Sequence, residues 1–310
     1  MSRFLVTGGA GFICSHIVLT LVKRGHFVRV LDNFSSGSVE NLSGVRRDID
    51  LVRADIRSTS SCIKATKGID FVLHQAALRS VHKSMLNPRL YNQVNIGGTL
   101  NMLEASLRNK VKRFVFASSS SIYGEAKSFP EKEEFLPLLI SPYALTKLCG
   151  ENYCRIFSSH YGLDTVCLRY FNVFGPRQAL DDEYAVVIPK FITCMLKGEN
   201  PPIYGTGRQS RDFTYIDNVV EANILACQKN IRDGVFNVAS GRNYTVLQLV
   251  SILNNILGKN IKPKFLPVRP GDVYKTLADL SKAKRVLGFR PKVDFIKGLR
   301  LTVEYFKKND

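Results

Sequence analysis

Short apolar runs of about five residues, separated by amphipathic stretches, organise most of the chain. Arg3-Phe-Leu-Val-Thr7, Phe27-Val-Arg-Val-Leu31, Asp50-Leu-Val-Arg-Ala54, Ile69-Asp-Phe-Val-Leu73, Arg113-Phe-Val-Phe-Ala117, Thr165-Val-Cys-Leu-Arg169 and Val235-Phe-Asn-Val238 read as strands. Runs this apolar suit strands covered on both faces. Between them lie stretches with helical spacing, the first being Ser15 to Arg24, which stops at Gly25. Strand and helix in alternation predict an α/β fold, a doubly wound parallel sheet of about seven strands.

Beyond Gly175-Pro176 the punctuation changes. Pro189, Gly198, Pro201-Pro202, Gly205, Gly207, Pro263, Pro267, Pro270 and Gly271 break the pattern into short pieces. The expectation is a Rossmann-type domain from residues 1–172 plus 211–238, and a smaller loop-rich lobe from 173–210 plus 239–310.

The first turn carries the most specific signal. In TGGAGFICSH, residues 7–16, Gly8 and Gly11 stand between a strand and a helix, and the next strand ends in Asp32. Glycines there let the backbone turn tightly and approach a pyrophosphate at a helix N-terminus. A carboxylate closing the second strand accepts hydrogen bonds from ribose hydroxyls and repels a 2′-phosphate, which favours NAD over NADP. Cys14 stands where the last small residue of such a cradle usually falls. That position serves helix–strand packing, so the expectation is a retained cofactor and an overpacking cost of about 1–3 kcal/mol.

A second signal follows the fifth strand. Ser118-Ser-Ser-Ser-Ile-Tyr-Gly124 comes first, then Ser141-Pro142-Tyr143-Ala-Leu-Thr-Lys147. Ser141 is a good N-cap and Pro142 suits the first helical position. Tyr143 and Lys147, four apart, share a helical face. A phenol with a reference pKa of about 10 is a poor base at neutral pH, and a neighbouring cation favours its ionised form.

Composition narrows the field. No apolar run approaches the roughly 18 residues of a membrane span, and a strand starting at Arg3 leaves no room for a signal peptide. The seven cysteines, at 14, 62, 149, 154, 167, 194 and 227, include no C-x-x-C pair. They suit reduced thiols in the cytoplasm. No metal-ligand spacing is present. The net charge is +18, and residues 259–310 hold 14 Lys/Arg against 5 Asp/Glu. The charges are dispersed and no nucleic-acid module accompanies them, so they read as a solvated face with some steering of an anionic substrate.

Taken in order, TGGAGFI, DNFSSG, ADIR, HQAAL, VNIGGT, ASSSSIYG, SPYALTK, LRYFNVFGPR, VIPKF, IYGTG, SRDFTYIDN, RPGDV and TLADLSKA resemble the extended short-chain dehydrogenases/reductases of the NAD-dependent epimerase/dehydratase family. The likeness is strongest to its UDP-hexose 4-epimerases and spans nearly the whole chain. It implies NAD contacts at Gly8, Gly11, Phe12, Ile13, Asp32, Asn33, Asp55, Ile56, Gln75, Ala76, Ala77, Tyr143, Lys147 and Tyr170. It implies Tyr143 as base, Lys147 as its electrostatic partner, and Ser119 at the catalytic Ser/Thr position, with Ser120 as the alternative register. For a UDP-sugar substrate it implies Arg79, Ser119, Ser120, Asn172 and the diphosphate arginines Arg211 and Arg269. Tyr204 and the backbone of Val187 and Ile188 would meet the uracil, Asp272 the uridine ribose, and Thr276 the hexose 2-substituent.

The implied reaction removes the 4-hydroxyl hydrogen to Tyr143 as hydride passes to NAD, turns the 4-keto sugar, and returns hydride to its other face. A small Thr276 would admit N-acetylated sugars. The family also implies a homodimer through paired helices and a place in polysaccharide biosynthesis. Dehydratases of the family carry Asp-Glu where this chain has Ser120 and Ser121, which speaks against dehydration. A uronate epimerase or decarboxylase, with Arg79 meeting the carboxylate, is the enzymatic alternative. A non-catalytic nucleotide-binding protein is the other, supported by Cys14 and His82.

Overall fold

The computed structural model describes residues 1–179, 187–268 and 273–308. Seven parallel strands form one sheet: β1 (Arg3–Thr7), β2 (Phe27–Asp32), β3 (Ile49–Arg53), β4 (Phe71–His74), β5 (Arg113–Ser119), β6 (Thr165–Tyr170) and β7 (Asp233–Val238). Their spatial order is β7-β6-β5-β4-β1-β2-β3. Val6 of β1 pairs with Val30 on one side and Leu73 on the other, so strand order reverses at β1. A reversal leaves a crevice outside the carboxyl ends of the strands, where α/β folds take their ligands.

The two-residue period of a strand feeds two cores. Phe4, Val6, Val28, Val30, Val115 and Ala117 face one side, against α1 (Phe12–Lys23) and, further along, the helix Ile216–Gln228. Leu5, Leu31, Val72, Phe114 and Phe116 face the other, against Cys62, Ala65, Met102, Leu103, Cys154 and Phe157. Each large side chain buried here stabilises by about 1.5–3 kcal/mol.

The sequence placed a strand at Ile69, but β4 starts at Phe71. Ile69 N–H closes a turn onto Thr66 O at 3.2 Å, and the Asp70 carboxylate accepts Arg3 N–H at 2.8 Å. Ile69 thus ends a turn, and Asp70 pins β1 at the strand's threshold, its own N–H donating to Arg3 O at 2.8 Å.

Outside the main sheet the chain beyond β6 pairs in short pieces. Val173–Phe174 pairs with Thr214–Tyr215, Ser210–Asp212 with Asn243–Thr245, and Pro202–Tyr204 with Lys264–Leu266. Helices Val187–Leu196, Val246–Leu257 and Phe295–Lys308 pack around them. Asp212 is the hub of this region and fully buried. Its carboxylate accepts Ser240 N–H at 2.9 Å, Gly241 N–H at 3.0 Å and Ala278 N–H at 3.2 Å.

Candidate active site

The glycine turn is built to receive an anion. Gly8 has φ +69°, and a Cβ there would stand 3.0 Å from Ala76 Cα, so neither its conformation nor its surroundings admits a side chain. Gly11 N–H donates to Gly8 O at 2.9 Å, which folds the turn beneath the start of α1. The N-cap of α1 is Gly11, which has no side chain to occupy the helix's first N–H groups, and its first turn carries no acid. A helix N-terminus left open in this way is a ready phosphate site.

Asp32 closes β2 and is 6% exposed. One carboxylate oxygen accepts Ala10 N–H at 2.9 Å and the other Phe34 N–H at 2.7 Å, so the glycine turn and the β2 loop are tied to the same acid. Asn33 Nδ2 donates to Asp55 at 2.9 Å. The Arg57 guanidinium holds the Asp55 carboxyl well below the usual carboxylate range.

One cleft runs from this turn to the end of β5. Gly8, Gly11, Phe12, Ile13, Asp32, Asn33, Asp55, Ile56, Gln75, Ala76, Ala77, Tyr143, Lys147 and Tyr170 all line it, and so do Arg79 and Cys14. Every residue expected at the cofactor therefore meets in one continuous groove. A cradle without side chains at one end and a ribose acid beside it fit a dinucleotide.

Tyr143 and Lys147 reach the groove from α2 (Pro142–Tyr161). Ser141 caps this helix, its hydroxyl accepting Ala144 N–H at 3.1 Å. The cap fixes the first turn, and with it Tyr143, against the end of β5. Lys147 is 5% exposed, and its Nζ donates to Ala117 O at 2.8 Å. Burial brings its pKa down to about 8. The ammonium lies 5.9 Å from the centre of the Tyr143 ring.

Burial pushes the Tyr143 phenol above its ordinary value, while a hydrogen bond with Ser119 and the positive charge of Arg79 work against it. The sequence assigned that counterweight to Lys147. Ser119 and Arg79 add to it, and the Lys147 ammonium, bonded to the Ala117 carbonyl, stands beside the ring. Of the two candidate serines, Ser119 is the one that acts on the Tyr143 phenol; Ser120 opens the turn Ser120–Tyr123.

Behind the groove the polar groups are closely matched. His74 is buried between Thr7 Oγ1 at 2.8 Å and Thr99 Oγ1 at 3.0 Å. Burial lowers its pKa to about 3, so it stays neutral. Asn223 was not singled out from sequence. Its Nδ2 donates to the Tyr170 hydroxyl at 2.8 Å, and its Oδ1 accepts Gln75 Nε2 at 3.0 Å. Asn95 was also missed. It sits in a π-helical turn, Asn92–Gly97, bonds Leu78 through both N–H and C=O, and donates to Thr146 Oγ1 at 3.0 Å. It thereby clamps the loop after β4 to α2.

A second cluster gathers around Ser210–Asp212. Asn172, at φ +35°, donates to Asp212 O at 3.2 Å and Thr276 Oγ1 at 3.1 Å. Thr276 is 5% exposed, and its hydroxyl also accepts Asp212 N–H at 3.0 Å. Arg211 donates to Ser210 O at 3.0 Å and Tyr274 O at 3.3 Å. Tyr204 is joined to this cluster through Gln209, whose Nε2 donates to Tyr204 O at 2.7 Å. Val187 and Ile188 open the helix Val187–Leu196, and the Ile188 side chain is fully buried. Arg269 and Asp272 lie outside the described residues. No helix among the described residues is long and apolar enough to cross a membrane.

Comparison with known proteins settles the family. The model of the NAD dependent epimerase/dehydratase family matches residues 4–239. The chain belongs to that family. The UDP-glucose 4-epimerase of Mycolicibacterium smegmatis is 35% identical over 98% of both chains. The fold of this epimerase/dehydratase family member superposes at TM-score 0.96 on a UDP-N-acetylglucosamine 4-epimerase from Methanobrevibacter ruminantium M1, solved with UDP-N-acetylmuramic acid. That protein is 43% identical, and the match covers 100% of this chain and 99% of the other. A UDP-glucose 4-epimerase from Thermotoga maritima, solved with UDP-glucose, gives TM-score 0.95 at 43% identity, with 99% of each chain covered.

Cys14 stands between the cradle and the core. Its side chain is 6% exposed and packs in the same core as Phe12, Ile17 and Val18. Burial, with the nearby Asp32 charge, pushes its thiol far up, so it stays neutral. Cys14→Gly is therefore expected to lose about 1 kcal/mol through weaker helix propensity and a small void, with no relief of overpacking. Thermal melts of the two proteins check this, and a stabilised glycine variant would restore the overpacking account.

Proposed function

We propose that this chain is an NAD-dependent UDP-hexose 4-epimerase. The observation that carries the reading is the meeting of Tyr143 and Lys147 in the groove that the glycine turn and Asp32 open, with Ser119 acting on the Tyr143 phenol. Bound NAD would supply the acceptor and later the donor of the hydrogen removed from the sugar carbon. Tyr143 takes the proton of the 4-hydroxyl, and Ser119 orients that oxygen and relays the proton. Lys147 supplies positive charge at the ring and a contact for the nicotinamide ribose. Gly8, Gly11, Phe12 and Ile13 hold the pyrophosphate; Asp32 and Asn33 hold the adenosine ribose. Asp55 and Ile56 flank the adenine, and Gln75, Ala76, Ala77 and Tyr170 line the way to the nicotinamide.

For the substrate, Asn172, Arg211 and Arg269 are the proposed diphosphate contacts. Tyr204, Val187 and Ile188 meet the uracil, and Asp272 the uridine ribose. Holding the nucleotide firmly and the hexose loosely lets the 4-keto sugar turn. We place the protein in the cytoplasm, in polysaccharide biosynthesis, as a homodimer. All seven cysteines are free thiols, which suits a reducing compartment. Leu145 (48% exposed) and Ile156 (42% exposed), three helical turns apart, share one outward face of α2 and support its pairing across a dimer.

The test is incubation with UDP-glucose, UDP-galactose, their N-acetylamino counterparts and UDP-glucuronate, followed by analysis of the product sugars. Interconversion of the neutral pairs is expected; failure to form a 4-epimer from any of them would overturn the reading. Specificity is tested in the same panel with Thr276→Tyr against Thr276→Val. Both lose the hydroxyl bonded to Asn172 and Asp212, and only the tyrosine adds bulk. A drop of at least about tenfold in turnover of the acetylated pair, confined to the tyrosine variant, is expected.

A further inference from the structure

One turn beyond Lys147 on α2 lies Glu151, only 6% exposed. Its carboxylate is gripped from two sides. Arg169 of β6 donates Nε to one oxygen at 2.8 Å and Nη2 to the other at 2.8 Å, a two-bond fork, and Ser118 of β5 donates its hydroxyl. Arg169 is itself 4% exposed, and its guanidinium lies 4.8 Å from the Tyr123 ring centre. The end of β5 thus serves two neighbours on α2 in register: Ala117 O receives Lys147, and Ser118 holds Glu151.

A buried ion pair of this kind is a poor source of stability, because desolvation offsets most of its attraction. Its location suggests an electrostatic use. The groups whose charge acts on Lys147, or on which Lys147 acts, are Cys14 on α1, His74 on β4 and Glu151 on α2 itself. Cys14 and His74 are held neutral by burial, so the fixed negative charge in this set is Glu151.

We propose that Glu151, fixed by Arg169 and Ser118, is a positioning residue that keeps Lys147 charged beneath Tyr143 despite its burial. This rests on Tyr143 and Lys147 being the acid–base pair of the proposed reaction. Tyr143, Lys147 and Glu151, each four residues from the next, form one stripe along α2. The stripe runs from the reacting phenol through a cation to a buried anion, and the Arg169 guanidinium closes the series.

The experiment is the pH profile of kcat for the wild type, Glu151→Gln, Glu151→Asp and the double variant Glu151→Leu/Arg169→Met. Absence of epimerisation by the wild type would sink the functional reading itself. With an active wild type, Glu151→Gln is expected to move the alkaline limb toward acid by about one pH unit, as Lys147 gives up its proton sooner. Glu151→Asp keeps the charge and should restore most of that limb.

Should Glu151→Gln fail to fold around the unpaired Arg169, the double variant, which leaves no orphan charge, is expected to show a smaller shift of the same sign. A readout without turnover is the NMR titration of the Lys147 ε-carbon in 13C-lysine-labelled protein, with Lys147→Met as the blank; its midpoint should move to lower pH in Glu151→Gln. Limbs and midpoint that stay at the wild-type pH while the rate falls evenly at all pH values would reduce Glu151 to a packing role and overturn the proposal.

Discussion

Tyr143→Phe is expected to lower kcat for 4-epimerisation by roughly 10²- to 10⁴-fold, the usual worth of a positioned acid–base group. KM should change little, because the loss falls on the transition state and leaves the nucleotide contacts in place. Fold stability should hold as well. The phenol's bonded neighbour, Ser119, keeps a second partner, since its Oγ accepts Ser121 N–H at 3.1 Å.

The pH dependence follows from the direction of the Tyr143 shift. Burial favours the neutral phenol, so the base is more available as pH rises, and the rate climbs on the acid side of the profile. Lys147, brought down to about 8, limits the other side, because losing its charge removes support for the phenolate. The two groups interact closely, so the limbs belong to the pair and to neither residue alone. A phenylalanine variant that kept more than about a tenth of wild-type kcat would remove Tyr143 from the chemistry.

The sheet was readable because its strands are covered on both faces, so each appears as a run of apolar residues. β5 is an example: Arg113 to Ala117 are all buried, and the strand extends two residues further, into the serines. Those serines look like a turn in sequence, yet Ser118 and Ser119 pair with Arg169 and Tyr170 of β6. The catalytic candidates were readable for a related reason. Gly8, Asp32, Tyr143 and Lys147 each sit at a strand end or in the first turns of a helix, where local punctuation marks the position.

What escaped was polar structure made between distant parts of the chain. Asn223 bonds Gln75 across 148 positions, and Arg169 and Glu151 meet from different elements. Nothing local distinguishes such an Asn or Glu from a solvated one. The small two-stranded pairings outside the main sheet involve strands of only two or three residues, too short for any period to show. Helical spacing gives the side of the helix on which Lys147 lies, and says nothing of the Ala117 carbonyl that receives it.

Glu131→Gln is expected to stabilise the protein by about 3 kcal/mol at about pH 8 and by about 1 kcal/mol or less at about pH 5. Glu131 is fully buried, and its backbone bridges Ala278. One carboxylate oxygen accepts Leu277 N–H at 2.8 Å, while the other is buried without a hydrogen-bond partner. Burial, with the nearby Asp212 carboxylate, pushes the group up to about 7, against the pull of Arg211 and Lys275.

Its folded pKa lies above the unfolded reference of 4.5, so the native state holds this proton more tightly. The stabilisation is complete below the unfolded value and is lost as pH rises through the folded one. Above that range the native state carries a buried anion with one unsatisfied oxygen. Glutamine keeps the shape and the Leu277 contact and has no proton to lose. Its amide nitrogen would lie in the field of Asp212, where a donor is favoured over a second carboxylate.

Urea unfolding of both proteins at the two pH values measures the difference directly. An offset equal at both would mean that Glu131 does not titrate in this range and that its orphan oxygen costs the fold nothing extra when charged. An offset confined to the higher pH would make Glu131, beside the segment that carries Thr276, a group whose ionisation destabilises the folded chain.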